Sequence, residues 1–179
     1  MSDTDLKPVL PSLHEEMGNI DFAIMQQFIE DANVARGDVV INAGDEMNFA
    51  FFVIKGKFAI HLVSDDGEKF ELTPAGSGKW IGQMFFLEPD KSSVSVTALE
   101  DSIIGRMDKS AFDKMSSSYP ATADKLLQSL SIELSNRMRK AGKLLFKRFA
   151  WDQVEGAEGE EGAKHWFAKV YCEMNGFSG

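Results

Sequence analysis

The spacing of apolar residues changes near residue 34. Between residues 13 and 32 they fall at Leu13, Met17, Ile20, Ala23, Ile24, Phe28 and Ile29. Spacings of three and four describe one face of a helix or of two short helices, and Asp21 is placed to cap the second piece. Beyond Val34 the period shortens. Val39, Val40 and Ile41 stand between the turn-forming runs Arg36-Gly37-Asp38 and Ala43-Gly44-Asp45. Residues 49–54 read as a buried strand, and residues 57–63 alternate as a half-buried strand does. Asp65-Asp66-Gly67 is a hairpin signal, followed by short strands at 69–73, 94–98 and 102–107. Short strands at this spacing, punctuated by Gly and Asp, predict an antiparallel roll or barrel.

Helical spacing returns at Asp108. Asp108 or Ser110 is placed to cap a short helix ending at Met115, and Ser116 to Pro120 breaks it. Pro120 is suited to a first helical turn and opens a long helix to about Ala150. That helix carries an apolar stripe at Leu127, Leu130, Leu134, Met138, Ala141, Leu145 and Phe149. Its first part is expected on the roll and the remainder in a two-fold helix contact, giving a homodimer. The division is therefore a loose start at 1–12, one domain with its long helix at 13–150, an acidic linker at 151–163 and a short aromatic tail helix at 164–179.

Charge narrows the partners. The 179 residues carry a formal net charge of −9, which opposes approach to a phosphate backbone. Arg137, Arg139, Lys140, Lys143, Lys147 and Arg148 form a local basic run. They read as a solvated face with cations toward the helix C-terminus; the acidic residues Asp152 to Glu161 follow and offset them. A lone cysteine, Cys172, and the absence of any apolar run near the roughly 18 residues of a membrane span fit a cytoplasmic protein without a membrane span. His14, His61 and His165 are scattered, so no metal site or catalytic constellation is expected. A cupin-like enzyme would need two nearby histidines and a carboxylate.

The sharpest motif is Gly78-Lys-Trp-Ile-Gly-Gln-Met-Phe-Phe-Leu-Glu-Pro-Asp-Lys-Ser-Ser-Val-Ser-Val-Thr-Ala98. With Gly44, Gly56 and Gly82 and the order strands-then-helix, it resembles the cyclic-nucleotide-binding domains of catabolite-activator-type regulators, kinase regulatory subunits and gated channels. The resemblance covers roughly residues 20–150. It implies an α+β fold: a jelly-roll-type antiparallel β-roll with N-terminal helices and a long C-terminal helix. It also implies a phosphate-binding cassette, in which Gly82 lets the backbone approach a ligand and Met84 to Leu87 form a short helix facing the phosphate.

The family pattern reads Gly-Asp-x-Phe-Gly-Glu, a short helix, then Arg-x-Ala-x-Val-x-Ala. Here Gln83 stands where the Glu belongs and Ser92 where the Arg belongs, flanked by Lys91 and Ser93. A charged hydrogen bond is worth roughly 1.5–3 kcal/mol, so the lost arginine alone corresponds to about one to two orders of magnitude in affinity. The resemblance implies ligand contacts at Gly82, Gln83, Met84, Phe85, Lys91, Ser92 and Ser93, with cAMP or cGMP as the ligand class.

Trp80, Phe85 and Phe86 read as packing residues, with the alternative that they plug the pocket. The tail aromatics Trp166, Phe167, Tyr171 and neighbours suit docking on the body or a protein partner. The tail is too short for a helix-turn-helix DNA-binding domain. The expectation is a non-catalytic regulatory module without nucleic acid. The alternative is a degenerate roll that binds no nucleotide and serves as a dimerisation or interaction scaffold.

Overall fold

The computed structural model describes residues 4–64, 69–87 and 90–155; the side chains at 73, 141 and 144–155 fall outside that description. So do the Asp65–Gly67 hairpin signal, the linker beyond residue 155 and the aromatic tail. Helix α1 spans Pro11–Gln26. Strands follow at β1 (Glu30–Val34), β2 (Val39–Ile41), β3 (Phe49–Lys55), β4 (Phe58–Val63), β5 (Lys69–Ala75), β6 (Trp80–Ile81), β7 (Val94–Ala98) and β8 (Ser102–Asp108). Helices α2 (Lys109–Ser118) and α3 (Pro120–Glu155) close the described chain. The strands form two antiparallel sheets, ordered β1-β8-β3-β6 and β2-β7-β4-β5. Pro74 lies in β5, an edge strand, where a missing N–H is tolerated.

Two cores explain the apolar pattern. Between the sheets lie Ile41, Phe51, Val53, Phe58, Ile60 and their neighbours. Between the first sheet and the helices lie Met17, Phe22, Phe52, Trp80, Met107, Leu126 and others. Strand side chains alternate faces, so Phe51 and Val53 enter the first core while Ala50 and Phe52 enter the second. Strand β3 is buried on both sides and therefore reads as an uninterrupted apolar run. The same alternation sends Trp80 to the helix layer and Ile81 into the roll.

Several expectations are corrected. The first helical stretch does not run to Ala32; β1 begins at Glu30 and pairs with β8. Residues 4–10 are not a loose start, because Leu6 is fully buried and Leu10 nearly so. The expected α1 face fails after Gly18, whose φ of +78° breaks the helix. Past that break the buried positions are Phe22, Met25 and Ile29, while Ile20 is 77% exposed. Asp21 accepts from Thr122 Oγ1 (2.6 Å) and Lys125 Nζ (2.5 Å) on α3. Asp108 holds the N-cap position of α2, but its carboxylate accepts from Arg106 and makes no capping bond. Helix α2 also continues three residues beyond Met115.

The long helix opens at Pro120 and reaches Glu155, five residues into the segment assigned to the linker. It packs on α1 and α2. Its buried positions are Thr122, Ala123, Leu126, Ser129, Leu130 and Arg137. Of the expected stripe, Leu130 is buried, Leu127 and Leu134 are half-buried, and Met138 is exposed.

Candidate functional site

The segment from Gly82 to Ser93 crosses from one sheet to the other, between β6 and β7. Gly82 has φ +77°, the left-handed region that side chains disfavour, and it opens a short 3-10 turn at Gln83–Phe86. Space adds a lesser restriction there. A Cβ on Gly82 would lie 2.9 Å from the Met47 methyl and 3.2 Å from the Phe49 carbonyl oxygen. The turn closes on itself through Phe85 N to Gly82 O (3.0 Å) and Leu87 N to Met84 O (2.9 Å).

The far end of the segment is clasped by the β2–β3 loop. Gly44 N donates to Ser92 O (2.7 Å), Ser92 N to Asp45 O (2.9 Å) and Met47 N to Asp90 O (3.4 Å). Lys91 forms an isolated bridge with Glu46. Both halves of the candidate set, residues 82–85 and 91–93, are thus held against residues 44–49.

The side chains divide by what they touch. Met84 is exposed, and so is Lys91. Ser92 Oγ donates to Val94 O (2.8 Å) and accepts from Val94 N (3.2 Å), so its hydroxyl is engaged within its own strand entry. Val63 N donates to the Ser93 carbonyl (3.4 Å). Phe85 is buried, with its ring 5.4 Å from Phe86. Phe86 meets Phe112 (5.0 Å) and Trp80 (6.3 Å), and Trp80 meets Phe52 (4.9 Å). Trp80 and Phe86 therefore pack toward the helix layer, as packing residues rather than plugs of the roll interior.

Gln83 is the buried polar residue of the turn, 5% exposed. Only one orientation of its amide satisfies its neighbours. Nε2 donates to the Trp80 carbonyl (3.0 Å), and Oε1 accepts from Arg137 Nη2 (2.9 Å) and Nη1. Arg137 reaches the turn from α3, is itself 7% exposed, and also donates to Glu133 one turn back. Arg137 thereby departs from the solvated basic face expected of its run. Arg139, Lys140 and Lys143 are exposed as expected, while Lys147 and Arg148 lie outside the described side chains. The available signal was Leu130: seven residues, two helical turns, carry its buried face to Arg137.

Glu133 and Trp80 also line an open groove of about 590 Å³, bounded by Pro8 to Leu13, Ser77 to Lys79 and α3. Among the described residues no His, Cys, Asp and Glu group of three could hold a metal ion. No described helix is long and apolar enough to cross a membrane.

Comparisons with known proteins agree with this geometry. Residues 32–119 match the family described as the cyclic nucleotide-binding domain. The sequence is 25% identical over 160 residues to lysophospholipase nte1 of Aspergillus terreus (strain NIH 2624 / FGSC A1156), covering 89% of this chain and 9% of that protein. It is 26% identical over 152 residues to the CRP-like protein Clp of Xanthomonas oryzae pv. oryzae (strain PXO99A), covering 80% of this chain and 64% of that one. The chain thus spans less than two thirds of the length of these curated relatives. A cyclic nucleotide-binding domain from Methylobacillus flagellatus KT shares the fold, with TM-score 0.67 and 16% identity over 87% of this chain and 85% of that one. A two-sheet roll, a glycine-opened turn between β6 and β7 and the match across it point one way: residues 32–119 of this chain match the cyclic nucleotide-binding domain family and share its fold.

Proposed function

We propose that this chain is a non-catalytic regulatory module that takes a cyclic nucleotide or a related small anion at the turn between β6 and β7. Its contacts differ from a carboxylate-plus-arginine pair. Gly82, Gln83, Met84 and Phe85 supply backbone and turn, and Lys91, Ser92 and Ser93 face them from the far end. Lys91 brings the cation, as a point charge without a bidentate fork. The reading rests on one observation above others: the left-handed Gly82 opens a tight turn between β6 and β7, inside the span that matches the cyclic nucleotide-binding domain. The buried amide of Gln83 in that turn is hydrogen-bonded to Arg137 of α3. A ligand that shifts the turn therefore acts on the long helix, biasing one of two arrangements. Because Oε1 of Gln83 is taken by Arg137, a ribose 2′-hydroxyl gains little there. Calorimetry with cAMP, cGMP, cyclic dinucleotides and 2′-deoxy-cAMP tests this. The expected result is weak binding, with ribose and deoxyribose forms within about threefold, less than one hydrogen bond's worth. No heat at millimolar ligand would defeat it.

A second reading has its own support. The hydroxyl of Ser92 and the amide of Gln83 are both engaged within the chain, as in a roll that serves as a dimerisation or interaction scaffold. Under either reading the protein acts in the cytoplasm, as a homodimer through α3, with a protein partner downstream and without nucleic acid.

A further inference from the structure

Arg137 sets a charge problem that no other described residue of α3 shares. A buried guanidinium is tolerable only when its N–H groups and its charge are met. Its Nη groups meet Gln83 Oε1, and Nη2 also meets Glu133, whose side chain is 45% exposed. Its Nε is buried with no partner. The cassette-side acceptor is a neutral amide. A carboxylate at the same place would accept the Arg137 bonds and cancel the charge as well, a stronger contact on that side, but it would lose the bond that the amide donates to the Trp80 carbonyl. The amide makes the contact without that added attraction.

The contact is well placed to couple two elements. On one side Gln83 is anchored through Trp80 O and begins at the left-handed Gly82. On the other, Arg137 stands one turn beyond Glu133 and is the last buried residue among the described side chains of α3. Glu133 and Trp80 border the open groove, so solvent reaches the carboxylate side of the network.

We infer that Arg137 is a positioning residue that latches α3 onto the turn at Gln83–Phe86, and that the neutral amide of Gln83 makes the latch releasable. The latch consists of the chain's own groups, so it stands apart from whether a nucleotide binds. Drawing Gln83 away from the guanidinium frees α3 from about Glu133 onward. A carboxylate at position 83 holds it shut.

Hydrogen exchange on the full chain, with no nucleotide added, tests this. Arg137→Gln is expected to speed exchange at residues 133–140 and 83–86 by roughly tenfold or more, the worth of one hydrogen bond to a charged group. Amides of β3 and β8 stay unchanged as the folding control. Arg137→Lys falls between, and Gln83→Glu, which strengthens the Arg137 contact but loses the Trp80 bond, slows exchange at residues 133–140 only. A merely structural arginine would not give opposite shifts on α3 from changes on the two sides of the contact. Unchanged exchange in Arg137→Gln, or faster exchange at residues 133–140 in Gln83→Glu, overturns the latch. Should Arg137→Gln fail to fold, Gln83→Ala removes the acceptor and reads the same two segments; exchange equal to the parent protein overturns it there. A calorimetric failure of the ligand reading leaves these outcomes untouched.

Discussion

Two glycines show how differently one residue type can be required. Gly82 is needed for its backbone: at φ +77° any side chain is strained, while its nearest neighbour, the Met47 methyl, is the end of a flexible chain. Gly105 has ordinary strand dihedrals and is needed for space. A Cβ there would lie 2.3 Å from Phe52 Cζ, and Phe52 is fully buried against Trp80. Phe52 and Gly105 face each other across β3 and β8. Gly82→Ala is expected to cost about 1–2 kcal/mol from left-handed backbone strain, and Gly105→Ala about 2–3 kcal/mol from overpacking. Urea midpoints of the two variants check the order; a Gly105→Ala variant as stable as Gly82→Ala would contradict it. The sequence singled out Gly82 through its motif. Gly105 carried no such mark, because the ring it accommodates lies more than fifty positions earlier in the chain.

Between elements, α1 and α3 are tied by a small polar cluster at the Gly18 break. Lys125 Nζ donates to Asp21 and to the Met17 carbonyl (3.3 Å), next to Gly18 where α1 breaks. The hydrogen bond from Lys125, with that from Thr122, holds the Asp21 carboxyl below its ordinary value near 3.8. A carboxyl lowered on folding stabilises the native state above its unfolded pKa, and that contribution is lost as pH falls through the native one. Asp21→Asn is therefore expected to be less stable than the parent at pH 7, by about 1–2 kcal/mol from weakened hydrogen bonds. The gap should narrow as pH drops below about 4. Denaturant unfolding at pH 7 and at pH 3 measures it, and a gap that stays constant would show that the carboxylate charge is not what ties the helices.

At the scale of the whole molecule, α3 carries apolar residues that the single chain leaves uncovered. Leu127 and Leu134 are half-buried, Met138 is 59% exposed, and the three share a face. That progression supports a second copy as the cover for the stripe, in the two-fold helix contact proposed above. Met138→Glu places a charge in that seam. Sedimentation should show the parent as a dimer and Met138→Glu shifted toward monomer. A parent protein that sediments as a monomer at high concentration would remove the dimer from the proposed function.

The architecture was legible in the chain, because that information is local and periodic. Period two against period three to four separated roll from helices, Pro120 marked the start of the long helix, and the Gly78–Ala98 run carried the family and the place of the cassette. The signal was weakest where one residue resets a face. Gly18 breaks α1, so the expected stripe placed Ile20 inside and passed over Phe22. What the candidate residues touch emerged with packing, in the folded structure. It engaged the hydroxyl of Ser92 with Val94 and brought Arg137, read from sequence as one cation among six, into the protein to meet Gln83. A buried polar contact between residues so far apart leaves no period in the chain; it exists only once helix and roll have packed, when each group lacks water and must take the partner beside it.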